Sequence, residues 1–297
     1  MVLTRATLIP SLKTGVNRLS PYHALLLLLS LPATLSHYFR RSTGESYGIG
    51  TVAKFVLAAK MVRNNIRIVS ASNFVEHLVM AATILTIPRT AEGCIVECGS
   101  YKGGSAANLS LVAALCGRGL EVFDSFGGLP EPSEGDRAHT VLHRGERHTY
   151  EEGAWAGTLD EVKGAITKYG AIEVCSFHAG QFEATLPGFK KITASVFADV
   201  DLRTSVEVCL RYLWPLLPDG RYFYTHEATH MEIASLFFDR DWWHSTLHCE
   251  PPGLVGAGTG LGLVPGQGGF RSALGYCVKA PERVHLKEVP QPGLVGG

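Results

Sequence analysis

The chain has 297 residues, in which 27 Lys and Arg residues balance 27 Asp and Glu residues. This length fits one large domain or a domain with an extension, and the balanced charge gives no global field to attract nucleic acid, so we predict no nucleic-acid partner. The seven cysteines include no Cys-x-x-Cys pair. We therefore expect reduced thiols in the core of a cytoplasmic protein.

Basic residues are concentrated in the amino-terminal quarter. A single acid, Glu45, precedes residue 76, against nine cations: Arg5, Lys13, Arg18, Arg40, Arg41, Lys54, Lys60, Arg63 and Arg67. This excess favours contact with an anionic surface or an acidic partner. The apolar run 25–29 is shorter than the roughly 20 residues of a membrane span. It fits a buried or partner-facing helix, an interfacial membrane anchor or a signal segment, so peripheral membrane contact through this end stays open.

Residues 1–90 are predicted to form a helical extension or lid. The segment 51–63 is apolar at a period near 3.6, which predicts an amphipathic helix with Lys54 off its apolar face. That face consists of Val52, Phe55, Val56, Ala59 and Val62. A second apolar helix is predicted over 74–87, where Pro88 ends it.

From residue 93, candidate strands and helices alternate. The predicted strands are 94–98, 120–123, 172–177, 195–200, 222–225, 246–249 and 274–278, and the predicted helices are 105–116, 159–169, 205–217 and 231–238. Alternation is typical of a parallel sheet with helices on both faces. We predict a doubly wound, mostly parallel seven-stranded α/β domain over 91–280, followed by a flexible tail over 281–297. Ligands of such sheets bind beyond the carboxyl ends of the strands.

A glycine-rich turn follows the first predicted strand. Gly99, Gly103 and Gly104 allow backbone to approach a ligand closely, and Asp124, at the tip of the next strand, suits two ribose hydroxyls. The glycine spacing is not G-x-G-x-x-G, and the carboxylate of Glu97 precedes it. Because that carboxylate would repel a pyrophosphate but could bind an ammonium or hydroxyl group, the pattern favours a nucleoside without phosphates, such as S-adenosylmethionine.

Two segments interrupt the alternation. Residues 127–157 are long and polar, which is typical of a lid or a disordered stretch, and residues 251–269 are rich in glycine.

The motifs resemble those of a known family. Ile95-Val96-Glu97-Cys98-Gly99, the run from Val122 to Pro130, Gly180-Gln181-Phe182 and Ala198-Asp199-Val200-Asp201-Leu202 occur in the order found in macrocin O-methyltransferases, over about residues 93–227. The resemblance implies a Rossmann-like methyltransferase fold and S-adenosylmethionine-dependent methylation of a hydroxyl on a sugar or small natural product. It also implies a divalent metal, Mg or Mn. We expect the extension to pack on the fold, close the pocket for this small-molecule acceptor or mediate a homodimer.

The resemblance also assigns cofactor-binding roles by position. Asp124 would bind the ribose hydroxyls. The remaining expected cofactor contacts are Glu97, Cys98, Gly99, Ser100, Tyr101, Gly103 and Ser105 for the methionine part, Ser125 and Phe126 beside the adenosine, Gly180 and Gln181 at the adenine, and Asp199.

The expected metal site departs from the family pattern. Relatives end the fifth strand with two aspartates, where this chain has His226 and Glu227, whereas Asp199 matches a family aspartate. Asp199, His226 and Glu227 are the predicted ligands, and an imidazole shifts preference from Mg²⁺ towards Mn²⁺, Fe²⁺ or Zn²⁺. The predicted catalytic residues are Asp199, which orients the hydroxyl whether or not it binds a metal, and His226, which takes the hydroxyl proton. Alternatively, the activity is lost.

Three other functions are weighed against this one. Residues 226–230 fit H-E-x-x-H, the zinc signature of metalloproteases, but His226 directly follows a predicted strand, whereas that signature needs both histidines on one helix. A non-catalytic cofactor-binding partner protein and an enzyme that uses the same fold for another reaction stay open.

Overall fold

The computed structural model describes residues 31–142, 145–261 and 272–280. Its main sheet has the strand order β5-β2-β1-β6-β7-β8. These strands are β1 (Cys94–Cys98), β2 (Leu120–Asp124), β5 (Cys175–Ala179), β6 (Thr193–Ala198), β7 (Tyr222–Thr225) and β8 (Gly275–Val278). All neighbours pair in parallel except β7 and β8, which are antiparallel. The predicted doubly wound, mostly parallel fold is confirmed.

Helices cover both faces of this sheet. They are α1 (Thr51–Arg67), α2 (Phe74–Thr86), α3 (Gly104–Cys116), α4 (Leu159–Tyr169), α5 (Phe182–Thr185), α6 (Arg203–Leu213), α7 (Met231–Ala234) and α8 (Arg240–Leu247), and residues 31–38 are also helical. One apolar core joins β1, β2 and β6 to α1, α2 and α3, and another joins the opposite sheet face to α6 and α8. Among the described residues, no helix is long and apolar enough to cross a membrane.

The sheet has six strands in the described part of the chain, and the expected number of seven is corrected. The predicted strand 246–249 instead overlaps the end of α8, and His248 after it has the left-handed conformation, with φ 55°. Asp239 caps α8 by accepting a hydrogen bond from the backbone of Trp242 at 3.1 Å, and Trp243 is fully buried. A helix cap and a buried tryptophan therefore override the local strand pattern.

Helix α1 packs with the face opposite to the one that its sequence predicts. Leu57 and Met61 are buried in the core shared with α2 and α3. Lys54, expected off the packed face, is also buried, and its Nζ donates to the carbonyl of Arg40 at 2.7 Å. The predicted apolar face, which includes Phe55, lies at the surface. Burial of Lys54 is tolerated because its ammonium group has this carbonyl partner.

The long polar insertion over 127–157 contains an antiparallel hairpin of β3 (Ala138–Val141) and β4 (Glu146–Thr149). Its Thr140 donates both its backbone N–H and its hydroxyl to the carboxylate of Glu232 on α7, at 2.6 and 2.9 Å. These contacts attach the insertion to the helices that follow β7.

Candidate functional site

A cavity lies at the carboxyl ends of β1, β2 and β6. Gly99 and Ser100 follow β1, Asp124 ends β2, and Asp199 follows β6. The strands continue as paired backbone beyond their assigned ends, because Gly99 donates to the carbonyl of Phe123 and Asp199 to that of Cys98, both at 2.9 Å. Parallel pairing therefore brings these polar residues together around one space.

The first glycine of the turn is required by packing of the protein on itself. Gly99 has a φ of 81°, and an added Cβ would lie 1.9 Å from the carbonyl oxygen of Asp199. Its lack of a side chain thus allows the chain after β6 to approach, and not only a ligand, as the sequence indicated.

Asp124 joins the turn after β1 to the end of β2. Its Oδ2 accepts hydrogen bonds from the backbone N–H and the hydroxyl of Ser100, at 2.6 and 2.9 Å. Its Oδ1 accepts from the backbone N–H of Phe126 at 2.7 Å. The carboxylate therefore has a fixed position at the cavity wall.

Glu97 is a buried carboxyl group on β1. Neither of its oxygens has a hydrogen-bond partner of standard geometry, although the hydroxyl of Ser105 is close enough to favour the ionised form. Burial, to which the charges of Asp199 and Asp124 add, raises the pKa of Glu97 to about 8. A bound ligand with a cationic or hydrogen-bond donor group would stabilise a buried carboxyl group of this kind.

On the opposite side of the cavity, an imidazole bridges two carboxylates. Nδ1 of His226 lies 3.4 Å from Asp199 Oδ1, and its Nε2 lies 3.2 Å from Glu76 Oε2. Burial lowers the pKa of His226, but the two carboxylates outweigh burial and raise it well above its usual value. The two carboxylates therefore stabilise the cationic form of the imidazole.

Glu227 is turned towards the backbone. Its Oε1 accepts from the N–H groups of Val200 and Asp201 at 2.6 and 2.9 Å, and its Oε2 accepts from the hydroxyl of Thr225. It thereby holds the chain that follows Asp199. Burial raises the pKa of Glu227, and the charge of Asp199 adds to this.

This arrangement does not fit a divalent metal. Both nitrogens of His226 face carboxylates, and both oxygens of Glu227 accept from protein donors. No group of three or more His, Cys, Asp or Glu side chains in the described part of the chain could hold a metal ion. The metal prediction for Asp199, His226 and Glu227 is not supported.

Most of the predicted cofactor residues line the cavity: Gly99, Ser100, Tyr101, Ser105, Asp124, Ser125, Gln181 and Asp199. Five predicted cofactor residues do not line it: Glu97, Cys98, Gly103, Phe126 and Gly180. Cys98 is buried on β1, Gly103 precedes α3, Phe126 contacts the ring of Phe177, and Gly180 donates its N–H to the backbone carbonyl of Asp124.

The H-E-x-x-H segment does not form a two-histidine helical face. His226 precedes α7, and His230 is the residue that caps it. The disfavoured metalloprotease function therefore lacks its required geometry.

Sequence reasoning missed several residues of the site, among them Glu76, Trp155 and Asp201. Glu76 comes from α2, which it also caps, since it accepts from the backbone N–H of Asn73 at 2.9 Å. Trp155 and Asp201 line the cavity, and the Trp155 ring packs edge-on against Tyr101, with ring centroids 5.6 Å apart. The capping pattern Asn73-x-x-Glu76 was a readable helix signal, but it gave no hint of a site.

Two solved O-methyltransferase and methyltransferase structures have folds similar to that of this chain. The O-methyltransferase NovP is 19% identical, with a TM-score of 0.54 over 85% of this chain and 100% of that one. CalS11, a calicheamicin methyltransferase, is 15% identical, with a TM-score of 0.51 over 87% of this chain and 93% of that one. At these identities the likeness shows the fold. A comparison with curated proteins found no match.

A family model settles the reaction class. The model of macrocin O-methyltransferase (TylF) matches residues 75–239, which is more than half of the chain. The match begins in α2 beside Glu76 and extends past β7, so it includes both sides of the cavity. The chain belongs to the macrocin O-methyltransferase family and is an O-methyltransferase.

Proposed function

We propose that this O-methyltransferase takes its methyl group from S-adenosylmethionine and transfers it to a hydroxyl of a sugar or another small natural product. The observation that carries the proposal is that Asp124 and Asp199 line the same cavity, on either side of the turn at Gly99. The names of the structural relatives, one a calicheamicin methyltransferase, support a natural product as the acceptor.

The residues on the β1 and β2 side fit this cofactor. S-adenosylmethionine supplies a methyl group on a cationic sulfonium, together with an ammonium group and two ribose hydroxyls. Glu97 is a buried carboxyl without a standard hydrogen-bond partner, and a nearby cation would favour its ionised form. Asp124 is held at the wall by Ser100 and Phe126, so it meets ribose hydroxyls without reorganising.

On the other side, Asp199 is the acidic group that faces the acceptor. Its side chain is 17% exposed and lines the cavity, whereas Glu76 is fully buried. Asp199 accepts the hydrogen bond of the attacking hydroxyl and thereby aligns its oxygen. His226 holds Asp199, and Glu76 holds His226. The hydroxyl proton enters this three-group cluster as a whole, because groups that interact this closely titrate together.

We also propose a cytoplasmic location for the enzyme. No disulfide joins any of the seven cysteines, all of which lie in the described part of the chain. Reduced thiols support a cytoplasmic location. The homo-oligomer and the division into an extension, a domain and a tail stay predictions.

The test is calorimetric titration of the purified protein with S-adenosylhomocysteine, with and without EDTA. We expect binding that EDTA leaves unchanged and that Asp124→Ala weakens at least tenfold, since a charge-assisted hydrogen bond contributes about 1.5–3 kcal/mol. Asp219→Ala, a change of an exposed aspartate, is the matched control. Methyl transfer from labelled cofactor to a panel of glycosylated natural products then identifies the acceptor class. Absence of binding in every condition would refute the proposal.

A further inference from the structure

The outer face of α1 is an apolar stripe at the protein surface. Val52, Phe55 and Ile66 are 79, 67 and 61% exposed, and Val56 is 47% exposed. With Ala59, also exposed, their spacing of three, one, three and seven residues places them on one side of a helix. Single exposed apolar side chains are ordinary, but four large ones on the same side of one helix mark an interaction surface.

In the described part of the chain, α1 packs on the domain through its other side and not through this stripe. The opposite side of α1 carries Lys54, Leu57, Met61 and Asn64, all buried. Asn64 donates to the side chain of Asn108 on α3 at 2.9 Å, which fixes how α1 lies on the domain. The stripe therefore faces away from the sheet, because the side of the helix that meets the domain is already occupied.

The charges of α1 indicate what covers the stripe. Its exposed Lys60 and Arg67 lie along one edge of the stripe, and the exposed Arg63 lies within the stripe, between Ala59 and Ile66 along the helix. The helix contains no acidic residue, and none of these three cations forms an ion pair with a described residue. The guanidinium of Arg63 lies 5.4 Å from the ring centroid of Tyr169.

These charges disfavour a second copy of the chain as the occupant. A twofold contact between two α1 stripes would bury Arg63 of each copy and bring the two Lys60 side chains close together near the middle of the helices, and neither helix offers an acid to pair with them. Like charges held opposite each other destabilise such a contact. An anionic surface has the complementary charge.

We propose that α1 docks the enzyme on an anionic lipid membrane, with the stripe of Val52, Phe55, Val56, Ala59 and Ile66 inserted among the lipid headgroups. The helix has 17 residues, which gives a length of about 25 Å. It lies in the plane of the interface, with its apolar side chains entering the headgroup region while Lys60 and Arg67 meet lipid phosphates. This mode needs no membrane-spanning helix.

The test is co-sedimentation of the full-length protein with vesicles of phosphatidylcholine alone or mixed with phosphatidylglycerol. We expect binding to the anionic vesicles only, weakened by salt. Phe55→Ser should reduce the partition coefficient about tenfold or more, since it removes one inserted aromatic side chain. Lys60→Gln and Arg67→Gln should each reduce it about fivefold.

The matched control is Phe238→Ser, which changes a phenylalanine that is 55% exposed elsewhere on the surface. It should bind vesicles like the wild type, and all variants should keep their melting temperature. Failure of the wild type to bind anionic vesicles would overturn the proposal. So would binding that Phe55→Ser leaves intact, because another segment would then carry it. A concentration-dependent dimer that Phe55→Ser dissociates, without vesicle binding, would assign the stripe to a second copy.

Discussion

The two sides of the cavity hold their acidic groups in different ways. On the cofactor side, Asp124 is held by backbone N–H groups and a serine hydroxyl, all from residues near it along the chain or on the adjoining strand. On the acceptor side, Asp199 is held by His226, which in turn is held by Glu76. The cofactor side is thus built from local backbone geometry, whereas the acceptor side is a network of side chains. A backbone-built site tolerates sequence change around it, but a side-chain network depends on each member.

The largest expected effect separates the two sides directly. Asp199→Asn should lower the rate of methyl transfer about 10²- to 10⁴-fold, the range for losing a group that handles the transferred proton. Affinity for S-adenosylhomocysteine, measured by calorimetry, should change less than threefold. Asp219→Asn serves as the exposed control. A rate that Asp199→Asn leaves unchanged would remove Asp199 from the chemistry.

The next prediction concerns the backbone contact that joins the two sides. Gly99→Ala places a Cβ against the carbonyl of Asp199 at a φ of 81°. It should destabilise the fold by about 2–4 kcal/mol in denaturant unfolding, since backbone strain and steric overlap add. Gly164→Ala on α4, which has open space around it, is the matched control. It should stabilise the protein by about 0.5–1 kcal/mol. Equal effects of the two changes would contradict the tight contact.

Glu76→Gln should have a smaller effect on rate, about 10- to 100-fold, because Glu76 acts through His226. Loss of one carboxylate should let the pKa of His226 fall from its raised value. The imidazole of His226 loses its positive charge as pH rises through that pKa. If the rate depends on this charge, the alkaline limb of the pH–rate profile should move to lower pH in Glu76→Gln. A slower enzyme with an unshifted limb would show that Glu76 has only a structural role at the helix start.

The smallest expected effect is the release of a proton from Glu97 when the cofactor binds. Glu97 has a pKa of about 8 in the fold, so it is largely protonated at pH 7, and a bound ammonium group should ionise it. Titration in buffers of different ionisation enthalpy should show release of up to about one proton, absent in Glu97→Gln. Stability should also fall as pH rises from about 4.5 to 8, because the fold binds the proton more tightly than the unfolded chain. Glu97→Gln should flatten that slope.

The same contrast explains what the sequence could predict. Strand and turn patterns between Cys94 and Asp124 identified the cofactor side, since short apolar strands and glycines are local signals. Asp199 and His226 were found as candidates through the resemblance, because Asp199 matches a family aspartate and His226 stands where relatives have another one at the end of a strand. Glu76 was not found, since its contact with His226 spans 150 residues and only the folded packing of α2 makes it. The orientation of Glu227 was equally hidden, because nothing local shows that it faces the backbone of Val200.

The fold itself was predicted where periodicity was strong and missed where packing decides. The strand at 246–249 failed because Trp243 anchors a helix there, and the face of α1 was misjudged because Lys54 finds a carbonyl partner inside. In both cases a tertiary contact outweighs a local preference.

The contact between Gly99 and the carbonyl of Asp199 also sets the rules for engineering this enzyme. Where these two backbone segments meet at the cavity, no space is left for a side chain at Gly99. Residues at this contact therefore cannot be varied to change which acceptor fits. The part of the cavity lined by the insertion offers side chains that can be changed, namely those of Leu129, Pro130 and Trp155. A library of variants built to broaden the range of acceptors should therefore vary these three residues and keep Gly99 and Asp199 constant.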